Sequence, residues 1–189
     1  MRALTVVVAM LALAGCGRVA ATGVPDVATF YGRSLVHAAT QEGAIALVVH
    51  GRPSPRLSEA GAARLIGERV RLPGWFPPTR LRPAGGGERY RLVLIFNPVS
   101  IAAAANHPCG PLAELATGDG AGGTVVVGAF CAGERAASEN RGDGPAGAAV
   151  DEAALLALAG PLVTSLFPPE NPLLRDDRGE RRGRWLFGD

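Results

Sequence analysis

Six apolar residues followed by a histidine, Ala44–His50, stand between Gly43 and Gly51. A run this short between two glycines, with no polar alternation, reads as a strand covered on both faces. A strand covered on both sides cannot stand alone. It commits the chain to a sheet with other elements packed over it, which is a layered fold.

The flanking sequence supplies those elements. Over 25–40, Val27, Phe30, Tyr31, Leu35 and Ala38 recur at three- and four-residue spacing, marking one face of a helix that Gly43 stops. Beyond the strand, Arg52, Pro53, Ser54 and Pro55 break extended structure. Ser58 can then cap a second helix presenting Ala62, Leu65, Ile66 and Val70 along one side, up to Pro73 and Gly74. The stretch 74–87, with Trp75, Phe76, several prolines and three consecutive glycines, reads as an irregular loop.

Tyr90–Phe96 is the second strand, with Tyr90, Leu92, Leu94 and Phe96 on one face and Arg91, Val93 and Ile95 on the other. Asn97 and Pro98 close it. A small-residue segment at 101–105 and a glycine-rich connection at 118–123 lead to a third strand at 124–130, which 134–140 can extend as a bent edge. Asp151 caps a last helix whose entry Val150 and Leu155 can staple. That helix is apolar all round, with Gly160 and Pro161 inside it. This favours the core, since its roughly fifteen uncharged residues fall short of the ~20 that span a bilayer.

The element order is α-β-α-β-β-α. It predicts an α/β or α+β fold, one small mixed sheet of three to four strands covered by helices, in a single globular domain over 25–174. The tail, 175–189, has five Arg and three acidic residues between Arg175 and Arg184. Such a segment reads as a solvated end, or as a contact for anionic headgroups. Apolar residues are 48% of the chain but aromatics only 5%, so the core must be built from Ala, Val and Leu. The 19 basic residues are all Arg and face 17 acidic ones. A balance so near neutrality gives nucleic-acid binding no support, and a GC-rich genome explains the absence of Lys.

The amino terminus carries the sharpest motif. Arg2 precedes an apolar run from Ala3 to Leu13, followed by Ala14, Gly15 and Cys16, the layout of a signal peptide over residues 1–15. The tetrapeptide Leu13, Ala14, Gly15, Cys16 resembles the lipobox of bacterial lipoproteins. The resemblance covers about sixteen residues, and no family is evident for the rest of the chain. It implies cleavage before Cys16, a diacylglyceryl group and fatty acids such as palmitate on that residue, and a membrane partner reached through the lipid. It also implies an envelope location facing the periplasm. Gly17, where an Asp would favour inner-membrane retention, leans towards the outer membrane. Residues 16–24, small or polar after the Cys, read as a lipidated tether.

With Cys16 committed to lipid, Cys109 and Cys131 form an even pair in a compartment where disulfides persist, and a bond between them is expected. The catalytic alternative is a small hydrolase or thiol enzyme in which His107 serves Cys109 or Cys131. His37, His50 and His107 lie outside metal-ligand spacing, so no metal site is expected. Neither a nucleophile elbow nor a phosphate loop occurs, and no cofactor is implied. The leading expectation is a non-catalytic binding or assembly module of the envelope. Its partner-binding candidates are Trp75 and Phe76, whose rings could instead pack onto the domain.

Overall fold

The computed structural model describes residues 21–119, 123–144 and 150–174. In chain order they form β1 (Ala21–Thr22), β2 (Asp26–Val27), α1 (Arg33–Ala39), β3 (Ala44–His50), α2 (Glu59–Arg69), β4 (Arg80–Pro83) and β5 (Tyr90–Phe96). Then come α3 (Ile101–Asn106), a 3-10 turn at Leu112–Glu114, β6 (Val125–Ala132), β7 (Arg135–Asp143) and α4 (Glu152–Ser165). One mixed sheet holds these strands in the order β1, β7, β6, β5, β3, β4, with β2 sharing the outer edge of β7 with β1. β3 is parallel to β4 and β5. The remaining pairs are antiparallel.

The alternation read in β5 places the two layers. Leu92, Leu94 and Phe96 join Ile45, Leu47 and Val49 of β3 and Val126 and Phe130 of β6 in the larger core, under α2 and α4. Val93 and Ile95 point the other way and meet Val127, Ala129, Cys131, Ala104 of α3 and Cys109. The fold is therefore α+β, with its sheet covered on both faces. β3 has neighbours on both sides, as its composition predicts.

Both long helices begin at the residues read as caps. The Ser58 hydroxyl accepts the Gly61 N–H at 3.1 Å, and the Asp151 carboxylate accepts the Ala154 N–H at 2.8 Å. α4 runs unbroken through Gly160 and Pro161. It is not buried all round: Leu155, Leu158, Ala159, Leu162 and Val163 form the buried stripe, while Ala157, Pro161 and Thr164 are exposed. Pro161 removes the donor that would bond the Ala157 carbonyl, and it does so on the exposed side of the helix, where that group is open to solvent. On the sheet, a Cβ at Gly142 would lie 2.9 Å from Leu158 Cδ1. The missing side chain lets α4 settle close to the strand.

The expected three to four strands are seven, and the order α-β-α-β-β-α omits four of them. β1 and β2 are two residues each, too short to carry any periodicity. β4 falls inside the stretch 74–87 read as a loop. It pairs with β3 from Ala44↔Arg80 to Leu47↔Pro83, and only Leu81 of its four residues is buried. Pro83 is tolerated because the strand is at an edge. The helix expected over 25–40 is confined to Arg33–Ala39, because Asp26 and Val27 bond to β7 instead. The small-residue segment at 101–105 is helical, capped by the Ser100 hydroxyl on the Ala103 N–H. The stretch 134–140 is the body of β7, a full partner of β6 rather than a bent extension.

Cys109 and Cys131 are joined in a disulfide across 22 residues, with their Cα atoms 5.7 Å apart. It pins the segment after α3 to β6, inside the smaller core. In the chain-entropy treatment, closing such a loop contributes about 3 kcal/mol. The double variant Cys109→Ser, Cys131→Ser should lose about that much unfolding free energy in urea titrations. An unchanged midpoint at equal slope would show that the bond constrains nothing.

Candidate functional site

Besides the aromatic pair Trp75 and Phe76, three regions hold the candidate residues. The first is the thiol pair. Cys109 and Cys131 are buried and bonded to each other. Neither sulfur holds the thiolate that nucleophilic chemistry needs. His107 follows the last turn of α3 and is exposed, and its carbonyl accepts the Gly110 N–H. The arrangement of His107 serving a free Cys109 or Cys131 is thus absent.

The second region is the rim where the parallel strands β3 and β5 end side by side at His50 and Phe96. Ligands of α/β sheets collect beyond such carboxyl ends. Here the chain itself fills the space. His50 Nε2–H donates to the Leu115 carbonyl at 2.8 Å, which fixes the tautomer, since a carbonyl only accepts. His50 Nδ1 is 3.9 Å from Glu59 Oε1, and that oxygen accepts the Gly51 N–H at 2.6 Å. The segment 115–118 is stitched over the strand ends by Val99 N–H on the Ala116 carbonyl and Gly118 N–H on the Asn97 carbonyl.

Asn97 holds this rim together. It has a φ of 50°, the one positive value among described non-glycine residues, a geometry asparagine tolerates better than most. Its Nδ2 donates to the Arg52 carbonyl at 2.7 Å, and its Oδ1 accepts the Val125 N–H at 3.1 Å. Gly51, with a φ of 78°, is pressed beneath: a Cβ there would lie 2.2 Å from the Phe96 carbonyl oxygen. Gly51→Ala should therefore destabilise the domain by roughly 3 kcal/mol, combining overpacking with a disfavoured backbone conformation. Thermal unfolding of the variant checks this, and a wild-type midpoint would mean the rim is looser than described.

The aromatic pair of the 74–87 stretch is turned inward. Trp75 Nε1–H donates to the Phe167 carbonyl at 3.2 Å. The Trp75 and Phe76 rings lie 4.6 Å apart, Phe76 meets Phe167 edge-on at 5.0 Å, and Phe167 meets Phe130 at 4.9 Å. Both rings are partly buried against the larger core, so the contacts read as a possible docking surface are made within the domain.

The third region is the amino-terminal edge. β1 pairs Ala21 with Asp143 and Thr22 with Gly142, and β2 pairs Asp26 with Glu139 and Val27 with Ser138. A carboxy-terminal turn is latched onto it. Asn171 Nδ2 donates to the Ala28 and Tyr31 carbonyls at 2.9 and 3.1 Å, and the Tyr31 hydroxyl donates to the Pro168 carbonyl at 2.8 Å. Among the described residues, five large apolar side chains are exposed: Val24, Phe30, Val99, Leu173 and Leu174. Four of the five belong to this edge. Residues 21–24, read as part of a flexible tether, include the first strand of the sheet. Cys16 itself lies outside the described residues.

Sequence reasoning passed over Glu139. Burial, and then the Asp26 carboxylate opposite it on β2, push its pKa up to about 7. Directly opposed residues of an antiparallel pair project to the same side, so the two acids share one face. A raised carboxyl pKa means that the folded chain binds the proton more tightly than the unfolded one. The stabilising contribution is complete below about 4.5 and is lost as the pH rises through about 7. Glu139→Gln should therefore raise the melting temperature over wild type at pH 8 and leave it nearly unchanged at pH 4.5. An equal difference at both values would remove the coupling.

Among known proteins, no family model, no curated sequence and no solved structure matches this chain. The described residues contain no group of three or more His, Cys, Asp or Glu side chains placed to hold a metal ion. No described helix is long and apolar enough to cross a membrane.

Proposed function

We propose that this chain is a lipid-anchored protein of the bacterial envelope, acylated at Cys16 and facing the periplasm, whose domain serves as a non-catalytic binding or assembly module. One observation carries the reading: Arg2, the apolar run 3–13, the small pair Ala14 and Gly15, and Cys16 occur together and in order. Two features support it. The Cys109–Cys131 disulfide belongs to compartments where thiols are not kept reduced. The sheet begins at Ala21, so a lipid on Cys16 would be coupled to the folded domain through only a few residues. Gly17 in place of Asp favours the outer membrane.

The absence of catalysis is part of the same proposal, and the disulfide supports it: Cys109 and Cys131 are bonded to each other, so His107 has no thiol to activate.

The test is the mass of the amino-terminal peptide of the mature protein, purified from membranes of an expressing bacterium. A peptide beginning at Cys16 and carrying a diacylglyceryl adduct is expected, with Cys16→Ser moving the protein to the soluble fraction. Cleavage elsewhere, or an unmodified Cys16 thiol, would refute the anchor.

A further inference from the structure

A lipid on Cys16 leaves open how the domain sits against the bilayer, and the exposed apolar residues address that question. Val24 is 93% exposed, Leu173 52%, Leu174 42% and Phe30 36%. Solvated apolar residues scattered singly need no explanation, whereas a gathering of them marks a contact surface. Three of these four are gathered by the latch. Asn171 holds the backbone on both sides of Phe30 through Ala28 and Tyr31, and its Oδ1 accepts the Leu173 N–H at 3.0 Å. Leu174 lines a cavity of about 370 Å³ with Tyr31, Gly32 and Arg33. Val24 stands in the bend between β1 and β2 on the same edge. The Arg135 guanidinium lies 4.3 Å over the Phe30 ring and covers one of its faces with charge.

The length of chain before the sheet selects the occupant. Five residue steps separate Cys16 from Ala21, so a fully extended connection spans at most about 18 Å. Ala21 is bonded to Asp143 on the outer side of β7. The opposite edge, β4, lies five strand positions away, roughly 24 Å across the sheet. An anchor at Cys16 therefore brings the β1–β2 edge towards the bilayer and leaves β4 distant.

Resting on the lipid-anchor reading, we propose that the edge formed by β1, β2 and the 168–174 turn lies on the lipid surface, with Val24, Phe30, Leu173 and Leu174 entering its interfacial layer. The charges here are mixed, Arg33, Arg135 and Arg141 against Asp26, Asp143 and Glu170. The contact is apolar in origin and insensitive to salt. It adds to the acyl chains and fixes the face that the domain turns to the periplasm.

The experiment uses the full mature chain, acylated and reconstituted in phosphatidylethanolamine–phosphatidylglycerol vesicles, with one nitroxide at Val24→Cys, Leu173→Cys or Arg80→Cys. Labels at 24 and 173 should report immersion of roughly 5–10 Å, unchanged by added salt, while the label at 80 on β4 stays fully accessible to an aqueous relaxant. Equal aqueous access at all three positions in vesicle-bound protein would overturn the proposal and leave the anchor intact. Shielding at 24 and 173 that persists in the Cys16→Ser chain in solution would assign the patch to a second copy of the chain, and overturns it too. Protein that is never acylated and does not float with vesicles refutes the anchor and this inference together.

Discussion

The hydrogen bonds of Asn97 are the joint on which the rest of the architecture closes. β5 is an interior strand, and its last residues must pass from a parallel neighbour, β3, to an antiparallel one, β6. Asn97 makes that transition with a left-handed backbone. Its amide donates to the carbonyl of Arg52, just beyond β3, and accepts from the N–H at the start of β6. Its own N–H and carbonyl bond Val125 and Gly118. Three segments far apart in sequence are thus held at one residue. An aliphatic side chain there would leave the part-buried Arg52 carbonyl and Val125 N–H without these partners.

From that joint the two layers follow. The register of β5 against β6, from Tyr90↔Ala132 to Phe96↔Val126, sends Phe96 and Phe130 towards α4, and Val93 and Cys131 towards α3 and the disulfide. The helical face is deep and built from leucines. The other face is shallow, and a covalent bond reinforces the few apolar contacts there. The chemistry of the molecule is distributed accordingly: polar groups at the strand ends serve the fold, and the unsatisfied apolar surface collects at the amino-terminal edge. Under the proposed anchor, that edge would be the attachment face and the rest of the domain would face outward.

Much of this was readable because some signals are local. Ser58 and Asp151 announce helix starts, since a cap is a contact between residues three apart. The alternation in Tyr90–Phe96 announces two covered faces. Other elements had no local signal. β4 is an arginine- and proline-containing edge that is a strand only because β3 offers it a ladder, and β2 draws residues out of an apparent helical pattern because β7 needs an edge partner. Glu139 looked like any polar residue of a weak strand. Its perturbed proton affinity comes from burial and from Asp26, more than a hundred positions earlier. Trp75 and Phe76 carry no local sign of whether they dock outward or pack inward, and Phe167 decides it across 92 residues.

The sequence alone settled the covered strand Ala44–His50, the two capped helices and the two faces of β5, and it alone carries the proposed address at Cys16, because each depends on residues within a few positions of one another. Tertiary structure alone decided the seven-strand order, the closure of the strand-end rim over His50, and the gathering of Val24, Phe30, Leu173 and Leu174 on one edge. Those depend on contacts between distant segments, and which distant segments meet is a property of the whole packed sheet.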